Sequence, residues 1–186
     1  MLTLLLVAGV AAGAQATHYS VKLIADVEKR EMRGEQDVEL HAEAGVLGLK
    51  KKPALTITRA SGAEVTTDPE TVRVQFARSG RQRLHVEYVA TAGRGLRWLE
   101  EGAGFFTAFH CDAWMVCDDS PAQRATLRLK IALPTASPLR AVGPGRRQRA
   151  WSEGGYRRVV FEQREPVQTY LFSFGAARLL DSSSGE

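Results

Sequence analysis

The sequence predicts an all-β domain, an antiparallel β-sandwich or open barrel, and three observations carry that prediction. From residue 17 onward apolar and polar side chains alternate over short runs, the period-2 mark of a half-buried strand. Gly, Pro, Ser and Asp punctuate those runs at close spacing. No stretch of about 15 residues sustains the 3.6-residue period of a helix.

The strands follow in order. Tyr19, Val21, Leu23, Ala25 and Val27 fall on one face, with Ser20, Lys22 and Asp26 on the other. Glu28 to Glu35 is polar, contains Gly34 and reads as a turn. Val38, Leu40 and Ala42 alternate with Asp37, Glu39 and His41. Val46, Leu47 and Leu49 lead into a charged stop at Lys50, Lys51, Lys52 and Pro53, after which Leu55 and Ile57 make a short strand. Val72, Val74 and Phe76, then Leu84, Val86 and Tyr88, flank Ser79 and Gly80, so residues 71–90 read as a β-hairpin. Gly93, Gly95, Gly102 and Gly104 interrupt the middle of the chain. Leu127, Leu129, Ile131 and Leu133 form a strand ended by Pro134; Val159 and Phe161 form another, and Tyr170, Phe172 and Phe174 the last. Asp181 to Glu186 is a polar tail.

Length and composition bound the rest. A chain of 186 residues fits a single domain. With 44% hydrophobic and 25% charged residues it is neither disordered, collagenous nor a membrane bundle. The net charge of +4 is modest and scattered. The one basic knot, Arg146, Arg147 and Arg149, adjoins Gly143, Pro144 and Gly145 and reads as a solvated turn, not a nucleic-acid footprint.

Met1 to Gly13 is an uncharged apolar run, too short for the roughly 20 residues of a membrane span. Ala14-Gln15-Ala16 supplies a small-x-small cleavage pattern, so residues 1–16 are expected to be a secretory signal, with the mature chain starting near Thr17. The run has no Lys or Arg before it, and a buried first strand or a start codon placed too early is the other reading. The expected location is secreted or periplasmic. Cys111 and Cys117 would there form a disulfide only if a turn brought them together; otherwise both are small buried hydrophobes.

Catalytic signatures are missing from the sequence. The four histidines, His18, His41, His85 and His110, form no His-Glu-x-x-His helix. There is no Cys-x-x-Cys pair and no Gly-x-Ser-x-Gly elbow. Glu100-Glu101 and Asp118-Asp119 are adjacent pairs, which point to opposite faces of an extended chain. Asp119-Ser120-Pro121 reads as a turn of the kind an Asp side chain can hold.

One stretch is more specific. Thr107 to Thr126 reads Thr-Ala-Phe-His-Cys-Asp-Ala-Trp-Met-Val-Cys-Asp-Asp-Ser-Pro-Ala-Gln-Arg-Ala-Thr. It resembles the N-terminal domain of the M1 zinc metallo-aminopeptidases, in which an aromatic-rich strand ends in a Pro-Cys-x-Asp-x-Pro turn. Cys117, Asp119 and Pro121 occupy that turn here, and Val116 stands where the family has proline. Phe109-His110-Cys111 is most similar to the branch containing leukotriene A4 hydrolase. His18-Tyr19 with Gly34, the turn near Gly143, and Pro166 to Leu171 followed by Phe174-Gly175 resemble other family segments in the same order, so the likeness covers about residues 17–180.

The resemblance implies a saddle-like β domain that covers a zinc-bearing catalytic domain. It also implies that zinc, the Gly-x-Met-Glu-Asn loop and the His-Glu-x-x-His helix belong downstream of this chain. The family's contribution from this domain is a Gln that holds the substrate's amino group. Its position falls on Thr107, which is shorter and offers one hydroxyl in place of an amide. The expected role is therefore non-catalytic, either structural or binding a peptide or partner domain. A contrasting expectation is an unrelated secreted sandwich that binds carbohydrate or protein through Trp98, Trp114 and Trp151.

Overall fold

A computed structural model describes residues 15–42 and 44–178. The apolar run and cleavage pattern up to Ala14, and the polar tail, lie outside the described residues. Within them the chain forms three open sheets.

The largest has seven strands. Its centre is built from β1 (Gln15–Asp26), β2 (Glu31–Ala42), β7 (Gly80–Thr91) and β10 (Arg124–Pro134). Outside these lie β4 (Leu55–Ser61) at one edge, and β13 (Tyr156–Gln168) and β12 (Arg146–Glu153) at the other. Alternation decides the faces. Tyr19, Val21, Leu23, Val38, Leu40, Leu127, Leu129 and Ile131 are all buried, and their polar neighbours face outward. Two expectations change here. The sheet is mixed, because β1 pairs with β10 in parallel. Arg146, Arg147 and Arg149 belong to a strand and not to a turn; the turn is confined to the glycines before them.

A three-stranded sheet joins β3 (Gly45–Lys50), β5 (Glu64–Thr67) and β6 (Thr71–Phe76). A four-stranded sheet joins β8 (Leu96–Trp98), β9 (Gly104–Thr107), β11 (Arg140–Val142) and β14 (Gly175–Ala177). Inward side chains of all three sheets form one hydrophobic cluster.

Three further expectations are corrected. Residues 71–90 are not a hairpin: β6 pairs with β3 and β5, while β7 pairs with β2 and β4, so the turn at Ser79 is a corner between sheets. Alternation fixes which face of a strand is buried but not which strand it pairs with. Gly34 lies within β2 and not in a turn, opposite Tyr88; a Cβ there would sit 2.1 Å from the Tyr88 ring, so only glycine lets that ring lie flat on the strand. The final aromatic run is no strand either. Thr169–Leu171 is a 3-10 turn, and Phe172 and Phe174 are buried plugs beyond it.

Cys111 and Cys117 are joined in a disulfide, with Cα atoms 6.2 Å apart. The required turn is the 3-10 segment Cys111–Ala113. Closing so short a loop removes about 2 kcal/mol of unfolded-state entropy. Replacing both cysteines by serine is expected to lower the melting temperature by roughly 4–8 °C, measured by thermal denaturation; an unchanged midpoint would show that the loop is held by its other contacts alone.

Candidate functional site

The segment that carries the motif, residues 107–123, is held from every side. Lys50 and Cys117 exchange backbone hydrogen bonds at 2.6 and 3.1 Å, and Lys52 N–H donates to the Asp112 carbonyl at 2.7 Å. The Lys52 ammonium pairs with the nearly buried Asp112 carboxylate at 2.8 Å. Lys51 is buried, its ammonium donating to the carbonyls of Leu55 and Pro69 at 3.1 and 2.9 Å. The lysine run does end β3, and Lys50 and Lys52 also clamp the segment, while main-chain carbonyls satisfy Lys51, which points inward.

On the opposite side Gln36 is fully buried. Its amide donates to the Val116 carbonyl at 2.5 Å and accepts from the Val116 N–H at 2.9 Å, as a β-partner's backbone would. Asp118 N–H donates to the Tyr19 hydroxyl, and the Thr169 hydroxyl donates to the Asp118 carbonyl. The turn that follows is held by Asp118, whose carboxylate accepts from Ser120 N–H at 3.0 Å; Asp119 makes no such bond. Trp114 is fully buried, its ring 4.8 Å from that of Phe174.

Thr107 ends β9 and is buried. Its hydroxyl accepts from Phe174 N–H at 2.9 Å and donates to the Phe174 carbonyl at 3.3 Å. Both hydrogen-bonding roles of the hydroxyl are therefore taken by one backbone unit.

An apolar face lies beside it. Phe106, Gly175 and Val142 sit opposite one another across β9, β14 and β11. Phe106 is 43% exposed and Val142 51% exposed, well above core values. With Pro144 and Ser173 they line a shallow depression. Phe109 is 69% exposed and adopts a positive φ of 54°, a conformation costly for a non-glycine residue. An exposed aromatic in a strained backbone gains nothing from burial in this chain alone.

The histidines remain apart. His18 bonds the Thr126 hydroxyl at 2.6 Å, His41 is exposed, and His110 lies 3.6 Å from the Asp112 carboxylate. His85 bonds Asp37 at 3.0 Å on the outer face of the large sheet, where Arg83 also reaches Asp37 at 2.8 Å. Burial alone would raise the Asp37 carboxyl, but the hydrogen bonds from Arg83 and His85 outweigh it and hold it below the usual carboxylate range. A depressed folded-state pKa stabilises above the unfolded value and is lost as pH falls through the folded one. Asp37→Asn is therefore expected to be less stable than the parent at pH 7, with the gap closing below about pH 4; denaturant midpoints across pH check it, and a pH-independent gap would refute it.

Among the described residues, no three of the His, Cys, Asp and Glu side chains converge in a metal-binding group. A catalytic zinc needs three protein ligands and an open position. The tryptophans sit on separate elements: Trp98 on β8, Trp151 on β12 and Trp114 in the core.

No protein-family model matches the sequence, and no curated protein sequence matches it. Solved structures do. The chain superimposes on an M1 zinc metallopeptidase from Deinococcus radiodurans with a TM-score of 0.77 and 17% identity, over 89% of this chain and 42% of that one. This chain has the fold of the M1 metallopeptidase N-terminal domain. A two-domain M1 zinc metallopeptidase variant bound to L-tryptophan gives 0.76 and 19%, covering 89% and 43%. Yeast leukotriene A4 hydrolase gives 0.75 and 19%, covering 90% and 29%. The chain thus spans less than half the length of the structures it matches. The Cys117–Pro121 turn and the order of the flanking segments carried enough signal to expect this fold; the apolar row did not, because Phe106 and Val142 lie far apart in sequence.

Proposed function

We propose that this chain acts as a non-catalytic N-terminal-type domain of an M1 zinc aminopeptidase-like protein, with a structural or partner-binding role. The observation that carries the reading is the extent of the match: nearly all of this chain corresponds to less than half of a two-domain enzyme. The zinc would belong to the other part. The row Phe106, Gly175 and Val142 is the face that such a part would cover, since contiguous exposed apolar surface marks contact sites. Thr107 stands at the rim of that face, and a substrate amine would compete with Phe174 for its hydroxyl.

Export belongs to the same reading. The Cys111–Cys117 disulfide supports an oxidising compartment, secreted or periplasmic.

The test is an aminopeptidase assay on residues 17–186, with a panel of aminoacyl chromogenic substrates, added zinc and a chelator control. No turnover is expected. Chelator-sensitive turnover would overturn the reading, because it would require a zinc site within this chain.

A further inference from the structure

The far edge of the seven-stranded sheet is β12, and no strand pairs with its outer side among the described residues. All of its residues except Trp151 are exposed, on both faces. Val159 and Phe161 on neighbouring β13 are buried, whereas Ala150 and Arg147 opposite them are exposed. An edge strand of eight residues therefore presents its unpaired backbone N–H and C=O groups to solvent.

Its charge is one-sided. Arg146 and Arg147 make no ion pair among the described residues. Arg149 stacks over the Trp151 ring at 4.7 Å, and Lys130 approaches the same ring at 5.1 Å. Neither cation has a carboxylate partner among the described residues. On the strand itself the only acid is Glu153 at the far end, which is paired with Arg158 at 3.3 Å. Most other cations of this outer face are neutralised: Lys22 by Glu35, Arg83 by Asp37 and Arg128 by Glu162. The uncompensated charge is concentrated on and beside β12.

We infer that β12 is a strand-addition site for an extended acidic peptide segment. Three physical arguments converge on that occupant. The free edge supplies main-chain hydrogen bonds that only another extended peptide can complete. A second copy of the chain is disfavoured, because each edge carries Arg146, Arg147 and Arg149 against a single acid, Glu153, so pairing two copies brings together two edges of net positive charge. An incoming strand with Asp or Glu at alternate positions would instead meet Arg146 and Arg149 on one face, with Trp151 offering an apolar platform between charges. The inference stands on the edge itself and does not depend on the M1 reading.

The test titrates a fluorescein-labelled eight-residue peptide, alternating Glu and Val, with the full chain and reads fluorescence anisotropy. Saturable binding is expected, weakened at least about tenfold by Arg146→Glu with Arg149→Glu, both exposed substitutions whose folding is checked by circular dichroism. N-methylation of alternate peptide amides should weaken binding by at least a similar factor, since it removes the ladder hydrogen bonds and leaves the charge. Equal affinity for the N-methylated peptide would overturn the proposal by showing mere charge attraction. So would tighter binding of a single-stranded oligonucleotide that displaces the peptide, or no saturation at millimolar protein.

Discussion

Trp114→Ala is expected to be the most damaging single substitution in this chain. The indole is fully buried where the disulfide-closed segment meets the four-stranded sheet, packed edge-on against Phe174. Truncating a buried Trp to Ala costs about 3–5 kcal/mol, the lost transfer energy plus the cavity left behind. A domain holds only about 5–15 kcal/mol in total, so the variant should be marginal at 37 °C. Trp114→Phe separates packing from polarity. The indole N–H has no partner among the described residues, so phenylalanine forfeits volume but no hydrogen bond. It should cost well under half as much as alanine. Chemical denaturation of both variants decides the matter: similar losses for alanine and phenylalanine would mean that a polar interaction, not volume, is what the site needs.

The sequence left the place of Trp114 open between core packing and a binding aromatic. What the sequence did disclose follows from periodicity. In β1, β10 and the second half of β2, every apolar residue assigned to the inner face is buried there, because burial of one sheet face imposes a strict period of two. The first half of β2 escaped notice because its inward residues are Met32, Gly34 and Gln36. Two of these look like turn or surface residues, yet each answers to something distant: Gly34 to the Tyr88 ring and Gln36 to the Val116 backbone. The same limit explains the misread hairpin. Local alternation in residues 71–90 carries no information about partners in other sheets. The motif around Cys117 was legible as a resemblance, whereas its anchoring was not. Lys50, Lys52 and Gln36 hold it from about 60 to 80 residues away in sequence, and nothing local to any of them signals that task.

That distance makes Gln36 the sharper probe. Its amide completes both backbone hydrogen bonds of Val116, 80 residues along the chain, in a site without solvent access. Gln36→Met keeps the side chain's length and removes both bonds, leaving a buried N–H and a buried carbonyl unpaired. Each unpaired group costs about 1–3 kcal/mol, so a loss of about 3 kcal/mol is expected, larger than for removing the disulfide. The effect should also be localised. Gln36 is one of the few groups tying the Cys111–Cys117 loop to the large sheet, so amide exchange at Met115 to Asp118 should accelerate beyond the global change in stability. Gln36→Glu distinguishes geometry from polarity, because a carboxylate can accept from Val116 N–H but cannot donate to its carbonyl unless it is protonated. Its deficit should shrink at low pH as the acid form regains a donor, while that of Gln36→Met stays constant. If methionine proves neutral and exchange in the loop is unchanged, the loop owes its place to the disulfide and the Lys52–Asp112 pair, and the large sheet is not what holds the motif in position.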